Sequence, residues 1–276
     1  MIKDIVVNLA VGGSRGDPGA YAVSIAQAFS AHVAAIAFAH DPVIPATLMG
    51  GVPPDFIESQ RAEAEAGASA AITRFEEAAR RAGVSAESRL LAASLAEASD
   101  QFGRIARRFD LAVVGQAEPE KASPEELIAE SALFAGGRPV LIVPYIQREG
   151  LALGKVLVCW DGSRAAARAA GDALPFLSRA HEIEVLIVAG ERGKSDEIPG
   201  ADIGQHLARH GLKVEVKRIV AGDTDVANTI LSYVADSAAD LIVMGGYGHS
   251  RLREFILGGV TRGILEAMTA PTLMSH

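Results

Sequence analysis

The stretch "ADLIVMG", residues 239–245, matches "FDLAVVG", residues 109–115, and this match decides how the 276-residue chain is organised. Three further pairs of blocks recur in the same order. Four ordered matches indicate an internal repeat, so we expect two related halves with one fold. The other pairs are "DIVVNLA" (4–10) with "KVLVCWD" (155–161), "AHVAAIAF" (31–38) with "AHEIEVLIV" (180–188), and "RPVLIVP" (138–144) with "APTLMSH" (270–276).

The repeated blocks are short β-branched or aliphatic runs, which are typical of strands buried on both faces. Alanine-rich segments with helical spacing separate them. In "TDVANTILSYVADSAAD", residues 224–240, the apolar positions recur every three or four residues, and Thr224 or Asp223 is placed to cap this helix. Alternating strands and helices predict right-handed parallel crossovers. We therefore expect an α/β fold with two tandem doubly wound domains.

The boundary between the halves is expected in "YIQREGLALGK", residues 145–155, which is polar and contains glycine. This predicts one domain over residues 1–147 and a second over 153–276. The first half has additional residues after its second strand. Prolines at 42, 45, 53 and 54 indicate an irregular flap, followed by a long helix over 55–82. The segment is either a flap over a cleft or a surface elaboration.

Composition limits the classes of partner. The formal net charge is -8, so the whole chain is repelled by nucleic acid and by anionic membrane surfaces. The single cysteine, Cys159, lies in an apolar run and cannot form an internal disulfide, which fits a reducing compartment. We find no basic segment followed by an apolar run at the N-terminus, and no stretch of about 18 apolar residues. A cytoplasmic location is the expectation.

A glycine-rich stretch, "MGGYGHSRLREFILGGVTRGIL", spans residues 244–265. Ligands of open parallel sheets bind at the carboxyl ends of strands, and Gly245 directly follows one. The later run from Gly258 to Thr261 opens a predicted helix, whose free backbone N–H groups and dipole favour an anion. The stretch is therefore either a phosphate cradle or a turn and a helix N-terminus without a ligand.

The first half serves as an internal control for these alternatives. Its corresponding segment, residues 116–137, has five glutamates and one lysine, a net charge of -4. Residues 246–270 have three arginines and two glutamates, a net charge of +1. Opposite charge at the same place in two related folds predicts one anionic ligand, bound in the second half.

A second asymmetry involves the end of the first strand in each half. Asp161, Gly162 and Ser163 follow "VLVCW", whereas Ala10 stands at the matching place in the first half. A carboxylate at the carboxyl end of a strand can accept hydrogen bonds from a ribose or a base. The same three residues also suit a turn and a helix cap. Both roles can coexist.

These motifs resemble those of the universal stress protein family. Its nucleotide-binding members carry Gly-x-x-Gly, nine residues, then Gly-Ser or Gly-Thr. Here Gly245 and Gly248 are followed by nine residues and Gly258, and Gly259 replaces the hydroxyl residue. The aspartate after the first strand matches at Asp161, and the resemblance covers nearly the whole chain.

The resemblance implies five-stranded parallel sheets with helices on both faces and an adenine nucleotide, ATP, ADP or AMP, commonly with a divalent metal such as Mg²⁺. Asp161 and Val188 would hold the adenosine, and the glycine loop and helix start the phosphates. Loss of the hydroxyl at Gly259 costs about 1 kcal/mol, or up to ~3 for a charged bond, so we expect weaker binding or a shift toward ADP or AMP. The nucleotide-site residues are Asp161, Gly162, Ser163, Val188, Met244, Gly245, Gly248, His249, Arg251, Gly258, Gly259, Val260 and Thr261.

The resemblance also implies that the halves pair through their last strands, "VLIVP" and "TLMSH". The tandem chain would then be an intramolecular pseudo-dimer, or form a homodimer of tandem chains. A regulatory role in a stress response is the expected function.

Two other functions stay open, a scaffold module that binds no nucleotide and a slow ATPase. "VGGSRGD", residues 11–17, resembles the Ser-Gly-Gly-x-Asp-Ser loop of ATP-pyrophosphatase-like ligases, but its serine and aspartate are out of register. No general base is evident, so the sequence leans against an enzyme. His206 and His210, four apart on a predicted helix, are either a metal-gripping pair or a solvent-facing pair.

Overall fold

The computed structural model describes residues 1–12, 16–42, 51, 53–118, 124–189, 201–221, 225–246 and 259–276. The chain divides into two compact units, Ile2–Arg138 and Pro139–His276, and Met1 clusters with the second. Each unit is an α/β fold, as the sequence predicted.

The unit Ile2–Arg138 has the strand order β3-β2-β1-β4, in which β1 pairs in parallel with β2 and β4, and β2 pairs in parallel with β3. Its helices connect successive strands, so strand and helix alternate along the chain. Its elements are β1 (Asp4–Asn8), α1 (Pro18–Phe29), β2 (His32–His40), α2 (Pro54–Ala82), β3 (Ala86–Ala93), α3 (Leu95–Ala106), β4 (Leu111–Gly115) and α4 (Pro124–Gly136).

The unit Pro139–His276 has the strand order β5-β10-β9-β6-β7-β8. All its pairings are parallel except that of β5 with β10, which is antiparallel. Its elements are β5 (Val140–Val143), β6 (Lys155–Cys159), α5 (Arg164–Asp172), α6 (Leu174–Leu177), β7 (Glu182–Ala189), α7 (Ala201–Arg209), β8 (Glu215–Val220), α8 (Val226–Ser237), β9 (Leu241–Gly245), α9 (Gly259–Ala267) and β10 (Thr272–Ser275).

The central strands are buried on both faces. Ile5, Val6 and Val7 in β1 are fully buried, as are all consecutive residues from Leu241 to Val243 in β9. A parallel strand covered by helices on both sides needs apolar side chains in both directions. This explains why the repeated blocks are continuous apolar runs and do not alternate with polar residues.

The repeat extends to individual hydrogen bonds. Asp110, just before β4, accepts hydrogen bonds at Oδ2 from the backbone N–H groups of Lys3 (2.8 Å) and Asp4 (3.1 Å). Asp240, just before β9, accepts one at Oδ2 from the N–H of Lys155 (2.8 Å). In both units an aspartate thus fastens the start of the neighbouring strand, β1 or β6.

The helices agree with the sequence except at one cap. The long helix expected over 55–82 is α2, Pro54–Ala82. The N-cap of α8 is Asp225, since the helix begins at Val226, whereas the caps expected from the sequence, Thr224 or Asp223, lie outside the described residues. The Asp225 carboxylate accepts a hydrogen bond from the N–H of Asn228 at 2.8 Å. Most of the expected flap, residues 43–50 and 52, lies outside the described residues.

The last strands of the two repeats pair as expected. Thr272 of β10 lies opposite Ile142 of β5, and Met274 lies opposite Val140. This pairing brings β5 into the unit Pro139–His276, although the repeat assigns it to the first half. The boundaries 1–147 and 153–276, and a pseudo-dimer or homodimer, stay predictions. Among the described helices, none combines the length and the apolar character needed to span a membrane.

Candidate functional site

The carboxyl ends of β6 and β9 meet at a change in strand order. The two strands are paired, with Val156 opposite Leu241 and Val158 opposite Val243. From β6 the sheet continues to β7 and β8, and from β9 it continues to β10. The connections that leave these two strands therefore run to opposite sides. Such a point creates a crevice, which is the usual ligand position in open α/β sheets.

Asp161, Gly162 and Ser163 form the turn between β6 and α5. Asp161 is exposed, and its Oδ1 accepts a hydrogen bond from the N–H of Ser163 at 2.9 Å. Gly162 has φ +75°, a left-handed conformation that favours glycine. Ser163 is the N-cap of α5, and its Oγ accepts from the N–H of Ala166 at 3.1 Å. The turn uses only one oxygen of the Asp161 carboxylate.

Val188 lies on the neighbouring strand at the height of Asp161. Cys159 pairs with Leu186 in the register of β6 and β7, and Asp161 and Val188 each lie two residues further along. Val188 is half-buried. The structure thus brings a carboxylate and an aliphatic side chain to the same edge, on adjacent strands.

Gly245, the last residue of β9, packs directly against the first turn of α5. A Cβ at this position would lie 2.5 Å from the backbone N of Ala166 and 2.7 Å from the carbonyl carbon of Ala165. No side chain fits at these distances, so close packing alone requires glycine here. The sequence attributed Gly245 to a ligand and did not detect this contact, because it depends on which helix covers β9.

Gly246, the first residue after β9 in the glycine-rich stretch, is held in place by hydrogen bonds. The N–H of Gly246 donates to the backbone oxygen of Ser275 at 2.9 Å, and its own oxygen lies 3.1 Å from His276 Nδ1. The predicted site residues Gly248, His249, Arg251 and Gly258 lie outside the described residues, so their roles stay predictions.

The helix α9 begins at Gly259, within the run from Gly258 to Thr261 that the sequence predicts to open a helix. It connects β9 to the parallel strand β10, so its N-terminus lies at the same edge as the end of β9. Its first turn has no acidic residue, and a Cβ on Gly259 would meet nothing within 4 Å among the described atoms. Val260 is half-buried, and Thr261 is buried with 4% of its surface exposed.

Met244 and Cys159 flank the crevice from within the sheet. Met244 is buried, with 5% of its surface exposed. Burial, together with the nearby negative charge of Asp161, raises the pKa of the Cys159 thiol to about 12. The thiol is therefore protonated at neutral pH, which removes it as a nucleophile.

The corresponding crevice of the unit Ile2–Arg138 has different chemistry. Ala10 follows β1, and Glu125 and Glu126 occupy the first turn of α4. Burial lowers the pKa of His40 at the end of β2, and the negative charge of Glu125 only partly offsets this, so the imidazole is neutral at neutral pH. Negative charge at the start of α4 opposes anion binding there.

A polar cluster lies near the amino-terminal ends of β6 and β7, and the sequence does not predict it. Glu184 in β7 is 3% exposed, and its Oε1 lies 3.1 Å from Lys155 Nζ. Tyr233 of α8 donates a hydrogen bond from its hydroxyl to Glu184 Oε2 at 3.0 Å. Lys155 Nζ also lies 3.0 Å from Glu182 Oε1. Only the strand register, which follows from the topology, brings these residues together.

The cluster is an ion-pair network. Hydrogen bonds that Lys155 donates to Glu182 and Glu184 raise its pKa, although its partial burial acts in the opposite direction. Burial and then Glu184 raise the pKa of Tyr233. Glu215 brings a third carboxylate within 4.8 Å of the other two, in an arrangement that could hold a metal, but Lys155 already forms ion pairs with Glu182 and Glu184, and Lys217 forms one with Glu215.

Comparison with known proteins identifies relatives for this fold. Residues 153–276 match the model of the universal stress protein family. Universal stress protein Slr1230 of Synechocystis sp. is 29% identical over 174 residues, which are 60% of this chain and 57% of that protein. The chain thus spans less than two thirds of the length of the curated relative that it matches.

Two solved structures resemble the whole chain. A universal stress protein from Archaeoglobus fulgidus DSM 4304 superposes with a TM-score of 0.72 at 16% identity, covering 98% of this chain and 94% of its own. A functionally unknown protein from Pseudomonas aeruginosa PAO1 gives a TM-score of 0.60 at 14% identity, covering 99% and 92%. At these identities the likeness establishes the fold.

Proposed function

We propose that this chain, a member of the universal stress protein family through residues 153–276, binds one adenine nucleotide in that domain and serves a regulatory role in a stress response. The observation that carries the proposal is the crevice between β6 and β9. It combines the Asp161 turn with a helix start, α9, that has no acidic residue in its first turn.

The adenosine half of the ligand would lie against Asp161 and Val188. One oxygen of Asp161 is occupied by the Ser163 N–H, and the other is available in this turn for a ribose hydroxyl or a base amine. Val188, half-buried at the same height, offers apolar contact to the base. A carboxylate beside an apolar surface suits a nucleoside, which has hydroxyl donors and a flat ring.

The phosphates would lie toward the start of α9. The positive end of a helix dipole lies at its N-terminus and favours an anion there. From their positions in the sequence motif, Gly248, His249, Arg251 and Gly258 would complete this region, with Mg²⁺ as the expected metal. The missing hydroxyl at Gly259 supports moderate affinity, or a preference for ADP or AMP.

The side chains of the described site residues favour a regulatory role over catalysis. Among the proposed site residues that the structure describes, Asp161 is the only one with a carboxylate, amine, imidazole or thiol side chain, and it takes part in the turn. The nearby Cys159 thiol stays protonated because its pKa is raised to about 12. ATP hydrolysis needs a group that orients the attacking water, and these residues supply none. A cytoplasmic location belongs to the same proposal.

A scaffold that binds no nucleotide is the second candidate. Two contacts favour it, because they explain why Asp161 and Gly245 are present even if no ligand binds. Asp161 already closes a turn, and Gly245 is required by its close approach to Ala165 and Ala166. Under this alternative the glycine pattern serves packing alone.

Thermal unfolding with ligand fragments separates the two candidates. Purified protein is heated with ATP and Mg²⁺, with adenosine, or with inorganic tripolyphosphate. Because a ligand at 100 times its Kd stabilises the folded state by about 2.7 kcal/mol, saturating ATP should raise Tm by several degrees. Each fragment should raise it less. If none of the three compounds changes Tm at millimolar concentration, the scaffold candidate is supported and the nucleotide proposal is wrong.

A further inference from the structure

A pair of histidines at the C-terminal end of α7, away from the crevice between β6 and β9, has a ring spacing that suits a shared metal ion. His206 and His210 are both exposed, and their ring centroids lie 4.9 Å apart with an interplanar angle of 69°. Residues four apart on a helix project from the same face, one turn from each other. Two imidazoles at this spacing on a helix are the arrangement that holds zinc in helical H-x-x-x-H motifs.

The backbone beneath both rings is fixed. Leu207, fully buried, and Ile203, 4% exposed, anchor α7 to the unit. His210 follows the last helical residue, and its N–H donates to the Leu207 oxygen at 3.0 Å. Gly211, with φ +77°, closes the helix end by donating from its N–H to the Ala208 oxygen at 2.9 Å. Binding a metal therefore requires little further ordering of the chain.

The ring separation matches a shared ion. A Zn–N bond of about 2.0–2.1 Å places the ion about 3.2 Å from each imidazole centre, since the ring nitrogen lies ~1.15 Å from that centre. Two rings that meet at such an ion have centres about 4.5 Å apart for a 90° angle and about 5.2 Å apart for a tetrahedral angle. The observed 4.9 Å lies between these values.

The position on the helix also favours a cation. His206 lies in the last turn of α7 and His210 just beyond it. The C-terminal end of a helix carries the negative end of its dipole, which stabilises positive charge there.

We propose that His206 and His210 bind a divalent transition metal, Zn²⁺, Ni²⁺ or Cu²⁺, with water completing the coordination shell. Imidazole nitrogen suits these ions, whereas Mg²⁺ and Ca²⁺ prefer oxygen ligands. The site is thus chemically separate from any magnesium that accompanies a nucleotide, and the proposal stands whether or not a nucleotide binds.

The test is a calorimetric titration of the untagged full chain with ZnCl₂ in the presence of excess MgCl₂. We expect one saturable Zn²⁺ site per chain that is coupled to a rise in Tm. The variants His206→Gln and His210→Gln should each weaken it by about tenfold or more, because a single imidazole is left. His181→Gln, at another exposed histidine of the same unit, is the matched control and should bind Zn²⁺ as the wild type does.

A spectroscopic readout identifies the ligands directly. With Cu²⁺ in place of Zn²⁺, the electron paramagnetic resonance spectrum should show two coordinating imidazole nitrogens, and one in either variant. Circular dichroism without metal establishes that the variants are folded. The proposal is overturned if the wild type shows no saturable Zn²⁺ binding, if a chain carrying both His206→Gln and His210→Gln binds Zn²⁺ as the wild type does, or if His181→Gln loses as much affinity as the two test variants.

Discussion

The crevices of the two units share a framework and differ in charge. Each lies where β1 meets β4 or β6 meets β9, and in each an aspartate before the second strand fastens the first. One has Ala10 with glutamates in the first turn of α4, and the other has Asp161 with no acidic residue in the first turn of α9. The fold thus provides a crevice in each unit, and a few side chains decide which of the two suits an anion.

The largest expected effect concerns the glycines that end β4 and β9. Gly245→Ala should destabilise the chain by about 2–3 kcal/mol, because the new Cβ would lie 2.5 Å from the Ala166 backbone nitrogen, which cannot move without shifting α5. Gly115→Ala is the matched control, since its Cβ would lie 3.7 Å from Pro18 and 3.8 Å from Glu125, at ordinary contact distance.

The Gly115→Ala variant should stay within about 0.5 kcal/mol of the wild type. Urea unfolding of both variants measures the difference. Equal destabilisation of the two variants would show that the packing of α5 on β9 does not explain Gly245.

A smaller effect is expected at the other edge of the sheet. Glu184 holds in β7 the register position that Ala34 holds in β2, opposite the third residue of β6 or β1. Tyr233→Phe removes the hydroxyl that donates to this buried carboxylate, so it should cost about 1–2 kcal/mol at pH 7. Urea unfolding across a pH series measures this cost.

The pH dependence of that cost follows from the direction of the pKa shift. The pKa of Tyr233 is raised in the folded state, with burial as the largest cause and Glu184 next. The stabilisation is therefore complete below the unfolded phenol pKa of about 10 and is lost as pH rises through the folded value. The difference in the free energy of unfolding between wild type and Tyr233→Phe should be constant from about pH 6 to 9 and shrink above pH 10. A gap that widens in alkali would contradict the assignment.

The smallest expected effect is a gain in ATP affinity. Gly259→Ser should leave stability nearly unchanged, because a Cβ there meets nothing within 4 Å among the described atoms. It also supplies a hydroxyl at the start of α9. A neutral hydrogen bond is worth about 1 kcal/mol, so ATP affinity should rise about fivefold. Titration with adenosine is the control, since a hydroxyl near the phosphates should not affect it. A gain for adenosine equal to that for ATP would contradict this placement of the phosphates.

Much of the fold could be predicted from the sequence because its signals are local. Continuous apolar runs identify strands buried on both faces, and the start of α9 at Gly259 follows from the glycine pair and the helical spacing after it. The turn at Asp161, one of the two roles that the sequence allows for this residue, is present in the structure. These features depend on neighbours along the chain.

The remainder could not be predicted because it depends on neighbours in space. The contact that requires Gly245 to be glycine comes from α5. That α5 covers β9 can be inferred only when the strand order is known. The Lys155, Glu184 and Tyr233 cluster requires the register of two strands and the face that α8 covers. The N-cap of α8 is Asp225, one residue after Thr224 and two after Asp223, the caps expected from the sequence.

The most direct test of the central claim is calorimetric titration with ATP and Mg²⁺ of the wild type and of two Asp161 variants. Asp161→Ala removes the carboxylate, and Asp161→Asn keeps an acceptor for the Ser163 N–H while removing the charge. Asp236→Ala, at an exposed aspartate near the end of α8, is the matched control.

We predict one ATP per wild-type chain and unchanged binding in Asp236→Ala. Asp161→Ala should bind at least about tenfold more weakly, and Asp161→Asn should fall between, because loss of a charged hydrogen bond costs about 1.5–3 kcal/mol. Equal ATP affinity in the wild type and Asp161→Ala would contradict a nucleotide site between β6 and β9.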